Sequence, residues 1–466
     1  MKLIFIMADS LRRDHLGAYG NRWIHTPYLD RLAQRSYVFD RCFIGSFPTG
    51  PNRRDIHLGT GDKDQAFNRW RDFDPDEVTL AQRVNATGTP TMMITDVANG
   101  LGYGRNMCKG FQAYTWNRGQ EGDRMDSDAS VPLEWPVPHH LLRYDTHTWQ
   151  QILTNRAHRT VEDDYFAPGT YKLACEWLER NWQRQSFHLW IETFDPHEPW
   201  DPPRWYIDMY DPGYRGRVFE APPYGFIKDM GITRRELRHI QARYAAEVTM
   251  VDNCVGRLLQ TLEKLGLLDE VGIVFTSDHG IYVGYEGDAG LVCKPWVIDD
   301  AKGYWLSAGQ FACPGGERWL PLRAGLLRIP LLIHLPGQTG SKRIRALVQP
   351  WDLHPTMLEL HGAKVPGGLT GRSLVPLLTG DKRRLHQYVF NGTQQGGKRV
   401  VQTSDGRWLY SYWTHDQRPP SLLDLKNDPA QGRNLAGKQP DVCRQLHRAL
   451  EQFDPSICRP EEQAGA

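Results

Sequence analysis

The chain has 466 residues, of which 40% are hydrophobic and 24% are charged, a composition typical of a soluble globular protein with a sizeable core. Its formal net charge of +1 gives no overall field that would attract nucleic acid or an anionic membrane surface, so we expect neither as a partner. The sequence also lacks an apolar run of the roughly 18 residues that a membrane-spanning helix needs.

The eight cysteines are scattered and form no Cys-x-x-Cys pair, which argues against a disulfide framework or a thiolate zinc site. The apolar start of the chain, residues 1–8, is shorter than an ordinary signal peptide and no small-residue cleavage site follows it. We therefore expect a cytoplasmic protein.

The first part of the chain predicts strands that are joined by helices and loops. Residues 3–8 form a continuous apolar run ending at Asp9, as in a strand that is covered on both faces. Residues 27–36 predict a short helix, and residues 91–95 predict a second buried strand. Residues 100–167 are rich in Gly, Asp, Trp and His without a clear period, and predict long loops of the kind that build pockets.

The middle of the chain continues this alternation. Residues 171–183 predict a helix and residues 187–194 a strand. The clearest helix has apolar side chains at every third or fourth position between Tyr244 and Leu262. Residues 271–276 and 329–335 predict two further strands.

Alternating strands and helices predict an α/β fold, in which a doubly wound, mostly parallel central sheet is flanked by helices. In such sheets functional groups gather at the carboxyl ends of the strands. Asp9, Asp195 and Asp278 each come just after a predicted strand, so we expect their carboxylates at one edge of the sheet.

The pattern changes near residue 380. Short antiparallel strands are predicted at three places, followed by a closing helix over residues 440–453 that has a proline in its first turn. We therefore predict a catalytic domain over residues 1–380 and a smaller α+β subdomain over residues 381–466.

Asp9, Asp278 and His279 are candidate ligands for one divalent metal ion. A carboxylate and an imidazole on adjacent loop residues can both turn toward the same cation. Asp278 alone is also explained as an N-capping residue beside a structural His279, and Asp9 alone as the cap of a following turn. Asp195 and His197 are weaker candidates for a second metal site.

The segment Gly45-Ser-Phe-Pro-Thr49-Gly-Pro-Asn-Arg53-Arg54-Asp55 supplies a candidate nucleophile. A Thr49 hydroxyl held on a tight turn at the start of a helix, with Arg53 nearby, suits attack on an anionic phosphoryl or sulfuryl centre. A metal ion would lower the pKa of this hydroxyl, and Arg53 would hold non-bridging oxygens bidentately. The alternative is a β-turn with solvated arginines.

His197 and Lys294 are two further candidates near the substrate. His197, in a proline-rich loop after a strand, can donate a proton to a leaving group. Lys294 can place a point charge on the same anion. A loop histidine bonded to the backbone and a surface lysine are the alternatives.

Together these segments resemble the sulfatase branch of the alkaline phosphatase superfamily over nearly the whole chain. The similar segments are Asp9-Ser-Leu-Arg-Arg-Asp-His-Leu-Gly17, Thr49-Gly-Pro-Asn-Arg53, Phe194-Asp-Pro-His-Glu-Pro-Trp200, Thr276-Ser-Asp-His-Gly280, residues 287–295, 328–333, 352–356 and 371–374, and Leu423-Asp-Leu-Lys-Asn-Asp-Pro429. The resemblance implies the doubly wound sheet with a small C-terminal subdomain, and a metal held by Asp9, Thr49, Asp278 and His279.

Two positions depart from the sulfatase pattern. Sulfatases carry Cys or Ser where this chain has Thr49, and convert that residue to formylglycine, for which threonine is not a substrate. They also usually carry a second Asp where this chain has Ser10. The combination of Asp9, Thr49, Asp278 and His279 is more similar to superfamily members that act on phosphodiesters or transfer phospho-groups through threonine.

We therefore expect an ester hydrolase with a covalent intermediate on Thr49, acting on a small anionic phosphodiester or phosphonate ester, because water can attack a phosphothreonine in line. A sulfuric ester hydrolase, a transferase and a non-catalytic anion-binding relative are the alternatives. Mixed oxygen and nitrogen ligands favour Mn²⁺ or Zn²⁺, with Ca²⁺ as a further candidate. The sequence leaves a homo-oligomer open.

Overall fold

The computed structural model of the chain describes residues 1–62, 66–294, 322–395, 398–414 and 418–457. The strands, in chain order, are β1 (Lys2–Ala8), β2 (Tyr37–Phe43), β3 (Ser46–Phe47), β4 (Thr91–Thr95), β5 (Ala113–Trp116), β6 (Phe187–Thr193), β7 (Gly225–Phe226), β8 (Val271–Ser277), β9 (Tyr282–Val283), β10 (Leu291–Cys293), β11 (Arg328–Ile329), β12 (Leu331–His334), β13 (Lys342–Val348), β14 (Val389–Gln395), β15 (Lys398–Ser404), β16 (Trp408–Trp413) and β17 (Ser421–Asp424).

The α-helices lie between these strands, except for the last, which follows β17. In chain order they are α1 (Pro27–Ala33), α2 (Thr49–Leu58), α3 (Leu80–Asn85), α4 (Ala98–Leu101), α5 (Thr146–Arg156), α6 (Phe166–Asn181), α7 (Arg204–Asp208), α8 (Arg234–Lys264), α9 (Ala324–Leu327), α10 (Leu353–Leu360), α11 (Val375–Thr379) and α12 (Pro440–Phe453). Within the described ranges, none of them is long and apolar enough to cross a membrane.

The central sheet has the strand order β11-β2-β12-β8-β1-β6-β4-β5, with β13 also paired to β2. Neighbouring strands among β8, β1, β6, β4 and β5 run parallel, whereas β12 is antiparallel to both of its neighbours, β2 and β8. Alternate residues of β1 enter different cores: Ile4 and Ile6 pack on one face of the sheet, and Leu3 and Phe5 on the other. The predicted doubly wound α/β fold is confirmed.

Helix α8 covers one face of this sheet and is the longest helix in the described residues, with 31 residues. It begins with a capping box, in which the Thr233 hydroxyl accepts from the Glu236 amide and the Glu236 carboxylate accepts from the Thr233 amide. Its apolar stripe, which includes Tyr244, Val248 and Val251, lies in the core as the three-to-four-residue spacing predicted.

A second sheet has the order β17-β16-β15-β14-β3. Four of its strands come from the C-terminal part of the chain and pack against α12. The fifth, β3, comes from the N-terminal part and pairs in parallel with β14, with Ser46 opposite Gly392 and Phe47 opposite Thr393. The C-terminal subdomain therefore extends its sheet with the strand that precedes Thr49.

Two predictions of secondary structure are wrong in part. Residues 100–167 include β5 and α5 as well as loops; α5 was missed because only Trp149 and Ile152 among its apolar side chains are buried, which is too few for a visible period. The strand predicted over residues 329–335 is divided into β11 and β12 at Pro330, which has no N–H to donate to a neighbouring strand.

Four buried histidines lie together beside the central sheet. His188 Nδ1 and His361 Nε2 are 3.1 Å apart, and His57 stacks on Trp190. Burial lowers the pKa of His188 to about 4 and that of His361 to about 2, and it lowers the pKa values of His57 and His354 to about 3 and about 4. The folded protein therefore holds all four rings neutral at pH values where the unfolded chain protonates them.

This difference makes part of the stability depend on pH. Between the ordinary pKa of about 6.5 and the lower folded value, the unfolded state binds more protons, so each histidine removes about 1.4 kcal/mol of stability per pH unit as the pH falls. The free energy of unfolding falls as the pH is lowered from 6 to 4. We expect His361→Asn to reduce the slope of this fall by about 1.4 kcal/mol per pH unit, as measured by urea denaturation. The exposed His158→Asn variant is the control, and an equal slope in wild type and His361→Asn would contradict the prediction.

Candidate metal centre and active site

The register of three parallel strands places the first two candidate residues side by side. Ala8, at the end of β1, lies opposite Thr193 of β6 and Ser277 of β8. Asp9 and Asp278 are the next residues of β1 and β8. Because neighbouring strands lie about 4.8 Å apart, the two carboxylates leave the same edge of the sheet as near neighbours.

Asp9, Asp278 and His279 form a group of potential metal ligands. One ligand atom from each lies within 4.8 Å of the others, and all three residues are fully buried. His279 Nδ1 lies 2.8 Å from the carbonyl oxygen of Gly280 and must donate to it, so the lone pair of Nε2 is free to bind a cation. Two carboxylates and an imidazole with this orientation fit a divalent metal ion.

The electrostatics of the two aspartates also fit a cation. Burial and the Asp278 carboxylate raise the pKa of Asp9 well above its usual value. Burial opposes the charge of Asp278 as well, but the interactions of the carboxyl group with His279 and with the Arg53 guanidinium outweigh it and lower its pKa. The protein alone thus favours one negative charge on the pair, whereas a divalent cation in contact with both would favour two.

Ser10, which stands where sulfatases usually carry an aspartate, supports this group. Its hydroxyl donates to Asp9 Oδ1 at 2.7 Å, and its amide donates to Asp278 Oδ1 at 2.9 Å. To make both bonds Ser10 adopts φ = 61°, a left-handed conformation that non-glycine residues seldom take. The residue therefore orients both carboxylates instead of adding a third.

Thr49 lies at the N-terminus of α2, with its Oγ1 3.3 Å from His279 Nε2. The turn before it is held by Asp55, which accepts from the Ser46 amide and hydroxyl at 2.6 and 2.7 Å. Gly45 is needed there, because a Cβ at that position would lie 2.3 Å from Asp55 Oδ2. Thr49 is thus beside the metal-ligand group, and the positive end of the α2 dipole faces it.

The Arg53 side chain lies among three buried carboxylates. Its Nη1 donates to Asp278 at 2.8 Å and to the Thr49 carbonyl at 3.0 Å, its Nη2 donates to Asp9 at 3.1 Å, and its Nε donates to Glu192. A guanidinium group has five N–H donors, so these bonds leave one Nη2–H for a substrate oxygen. The bidentate contact that the sequence suggested is therefore reduced to a single donor in this arrangement.

His197 and Lys294 are in contact with each other. Lys294 Nζ lies 3.0 Å from His197 Nε2, while His197 Nδ1 lies 2.6 Å from the carbonyl oxygen of Glu198. Nδ1 must donate to that carbonyl, so Nε2 accepts a hydrogen bond from the lysine ammonium group. Burial and the Lys294 charge lower the pKa of His197 well below its ordinary value. In this arrangement the neutral His197 ring holds the Lys294 amino group by a hydrogen bond.

Charged residues outside the sequence motifs hold the His197 loop. Glu198 accepts from the Tyr224 hydroxyl at 2.7 Å and from Arg143, which also pairs with Glu121 at 3.2 Å. Arg143 lies in the part of the chain without periodicity, and Glu198 gave no signal beyond its place next to His197. The one sequence feature that could have identified Arg143 and Glu198 is a charged residue placed within an apolar or aromatic segment.

Asp195 is separate from the metal-ligand group. Its carboxylate accepts from Gln120 Nε2 at 3.3 Å and from the Ala167 amide at 3.2 Å, and burial raises its pKa to about 8. Among the residues that the structure describes, only Asp9, Asp278 and His279 form a group of three with metal-binding geometry. The second metal site suggested for Asp195 and His197 has no such group in these ranges.

The fold and this arrangement of residues define an ester-bond hydrolase of the alkaline phosphatase superfamily. The chain belongs to the sulfatase family, whose profile, described as Sulfatase, matches residues 2–363. A second profile, described as N-sulphoglucosamine sulphohydrolase, C-terminal, matches residues 322–455. Sulfatase-family enzymes bind a divalent metal ion, and Asp9, Asp278 and His279 are the candidate ligands here.

Similar proteins include both sulfatases and phosphonate hydrolases. The chain is 25% identical over 507 aligned positions to an N-acetylglucosamine-6-O-sulfatase of Bacteroides thetaiotaomicron, covering 94% of this chain and 82% of that protein. It is 22% identical to an arylsulfatase of Clostridium perfringens, covering 94% and 90%. A phosphonate monoester hydrolase of Agrobacterium radiobacter has the same fold, with a TM-score of 0.72, 19% identity and coverage of 97% and 95%.

Glu192 positions Arg53, and its removal tests this arrangement. Its carboxylate accepts from Arg53 Nε and, at 3.1 Å, from Trp190 Nε1. We expect Glu192→Gln to lower kcat on an ester substrate by about 10- to 100-fold, since losses of this size follow removal of groups that orient a metal site. Glu77→Gln is the matched control, because it removes the carboxylate that pairs with Arg54, another buried arginine of α2. Equal losses in the two variants would assign the effect to the helix rather than to Arg53.

Proposed function

We propose that the chain hydrolyses small anionic esters by attack of the Thr49 hydroxyl, with a divalent metal ion held by Asp9, Thr49, Asp278 and His279. The observation that carries this proposal is the 3.3 Å distance between Thr49 Oγ1 and His279 Nε2, a ligand atom of the metal group. When bound, the metal supplies positive charge that lowers the pKa of the hydroxyl and offsets the charge of the substrate. The oxygen and nitrogen donors favour Mn²⁺ or Zn²⁺ over Ca²⁺.

The residues of the chain then have separate tasks. The Thr49 hydroxyl gives its proton to solvent, and its oxygen forms a bond to the phosphorus or sulfur atom while the bond from that atom to the leaving oxygen breaks. Lys294 supplies a proton to the leaving oxygen, and the neutral His197 holds the lysine in place. Arg53 donates its remaining N–H to a non-bridging oxygen, and the N-terminus of α2 adds positive potential. Water then attacks the same atom and the bond to Thr49 breaks, so that a proton of this water returns to the Thr49 oxygen and the acid is released. Lys294 regains its proton from solvent.

The first candidate substrate is a phosphodiester or phosphonate ester. Thr49 supports it, because a phosphothreonine can be hydrolysed by in-line attack of water, with charge spread over the equatorial oxygens. A sulfated threonine is a poor intermediate, since its release by water is difficult and threonine cannot form the formylglycine that sulfatases use. The likeness in fold to phosphonate monoester hydrolases is compatible with this candidate but shows the fold alone.

The second candidate is a sulfate ester, and the names of the curated relatives support it more directly. The proteins similar in sequence are named as an N-acetylglucosamine-6-O-sulfatase, arylsulfatases and a choline-sulfatase. Each keeps at most 28% identity with this chain, so its substrate is not transferable without a test. The two candidates differ in the central atom of the ester and share the same residues.

Replacing the nucleophile tests the proposed reaction. We expect Thr49→Ala to keep its fold but to lose turnover by on the order of 10³-fold or more, as other enzymes do without their nucleophile. Thr49→Ser, which retains a hydroxyl, is the matched control and should keep a measurable part of kcat. Normal turnover by Thr49→Ala would exclude Thr49 as the nucleophile.

A substrate panel separates the two candidates. We expect kcat/KM, measured on a nitrophenyl phosphate monoester, phosphodiester, phosphonate and sulfate with the same metal loading, to be highest on the diester or phosphonate, because these form a phosphothreonine-type intermediate. A maximum on the sulfate would favour the second candidate. Bound metal without turnover on any of the four would favour an anion-binding protein that is not an enzyme.

A further inference from the structure

The indole ring of Trp70 lies at the N-terminus of helix α2, next to Thr49. A Cβ at Gly50 would lie 3.1 Å from the Cδ2 and Cε3 atoms of Trp70, so the ring packs directly on the residue that follows Thr49. This distance is shorter than an ordinary contact between apolar carbon atoms, so the ring takes this place because position 50 is a glycine. Thr49 and Gly50 are buried, whereas Trp70 is 37% exposed. An aromatic surface is therefore open to solvent beside the proposed nucleophile.

Helix α2 holds the short segment that carries this ring, residues 68–72, on both sides of Trp70. Before the ring, the Asn68 side chain donates to Asp55 at 2.8 Å and accepts from Arg54 Nε at 3.2 Å. After the ring, the Asp72 carbonyl accepts from Arg54 Nη1 at 3.0 Å. Because both anchors bond to side chains of α2, Trp70 keeps a defined position relative to the first turn of that helix.

The other aromatic side chains near residues 68–72 pack in the interior. Phe67 belongs to the core beneath the C-terminal sheet, and Phe73 packs with Leu58 and Met107. Trp70, between them in the chain, is the one that stays exposed. Single exposed apolar side chains are common on protein surfaces, so exposure alone gives Trp70 no role. Its fixed position beside the proposed nucleophile does.

The geometry of α2 decides which part of a substrate the ring can reach. Thr49 and Arg53 are four residues apart and share the side of the helix that faces the metal-ligand group. Gly50 and Arg54 share the neighbouring side, about 100° round the helix axis, on which residues 68–72 pack. Trp70 therefore lies to the side of the atom that Thr49 attacks.

In-line attack distinguishes two organic groups of an ester. The leaving oxygen lies opposite the Thr49 oxygen, and the other three atoms on phosphorus lie around the axis that joins these two oxygens. In a phosphodiester or phosphonate ester, one of those three atoms carries an organic group that stays on phosphorus. In a sulfate ester all three are oxygen atoms. A ring to the side of the reacting atom can contact the retained group, whereas the leaving group points away from α2.

We propose that Trp70 forms a subsite for the organic group that stays on phosphorus, and that this group is flat and apolar, such as an aryl ring. Two aromatic rings stack favourably with their centroids about 4.5–7 Å apart, which the open part of the indole ring allows. The retained group remains attached while phosphorus is bonded to Thr49, so the contact lasts through both steps. The assignment rests on the proposed hydrolysis of phosphodiesters or phosphonate esters. Trp70 selects the substrate and takes no part in breaking bonds.

Esters with one leaving group and different retained groups test the subsite. We expect Trp70→Ala to lower kcat/KM on nitrophenyl phenylphosphonate by about tenfold, the scale of discrimination that one apolar contact gives. On nitrophenyl methylphosphonate and nitrophenyl sulfate, which lack a flat retained group, kcat/KM should stay as in wild type. Trp70→Phe, which keeps an aromatic ring, should retain most of the activity on the phenylphosphonate.

The same measurement separates recognition from a structural role. If Trp70 only supports α2, Trp70→Ala loses activity equally on all three esters, and that result would overturn the proposal, as would an unchanged kcat/KM on the phenylphosphonate. Trp182→Ala is the matched control. Trp182 is 40% exposed and follows α6 at the amino end of β6, on the opposite edge of the sheet from Asp9, so its removal should leave all three values unchanged. If the unfolding temperature shows that Trp70→Ala is not folded, Trp70→Leu, which keeps an apolar side chain on Gly50, takes its place.

Binding of the acid products distinguishes failure of the subsite from failure of the proposed reaction. Phenylphosphonate and methylphosphonate contain no ester bond, so their affinities for the Mn²⁺-loaded protein, measured by calorimetric titration, do not depend on turnover. We expect wild type to bind phenylphosphonate about tenfold more tightly than methylphosphonate, and Trp70→Ala to bind the two equally. Equal affinities in wild type would overturn the subsite. A preference for phenylphosphonate that is lost in Trp70→Ala, in a protein that hydrolyses none of the esters, would support the subsite and reject the proposed reaction.

Discussion

The site depends on the burial of three carboxylates at one end of the central sheet. Asp9, Glu192 and Asp278 come from adjacent parallel strands whose register makes them neighbours. Negative charges held this close and out of water are unfavourable unless cations compensate them. Arg53 contacts all three, and Lys294 adds further positive charge nearby. A divalent metal would complete this balance, which gives a physical reason why the candidate ligands, the proposed nucleophile and a buried arginine occur together.

Thr49, the proposed nucleophile, reaches this edge through a contact between the two parts of the chain. Thr49 follows β3, which pairs with β14 of the C-terminal sheet, and the intervening turn is fixed by Asp55. The position of the hydroxyl is therefore coupled to the packing of the C-terminal strands. The predicted boundary near residue 380 divides the chain in sequence, but β3 from the N-terminal side belongs to the C-terminal sheet, where Ser46 lies opposite Gly392.

The departures from the sulfatase pattern have a common physical consequence. Ser10 replaces a potential ligand with a hydrogen-bond donor, and Thr49 replaces a formylglycine precursor with a hydroxyl that cannot be so converted. Both changes leave a smaller negative charge and an ordinary alcohol at the centre. The neutral His197 accepts a hydrogen bond from Lys294, which keeps the lysine close enough to influence Asp278.

The sequence by itself determined the α/β class, the order of its main elements and the metal-ligand group, because apolar periodicity and strand-terminal aspartates are local features. It pointed to Thr49, Arg53, His197 and Lys294 through short motifs. Only the tertiary structure decided three features of the site. Most N–H donors of Arg53 bond to carboxylates, Glu192 and Glu198 fix the positions of Arg53 and of the His197 loop, and Asp195 lies apart from the metal-ligand group. These outcomes depend on which distant side chains share a buried space and must neutralise one another, and that competition cannot be read from any single segment.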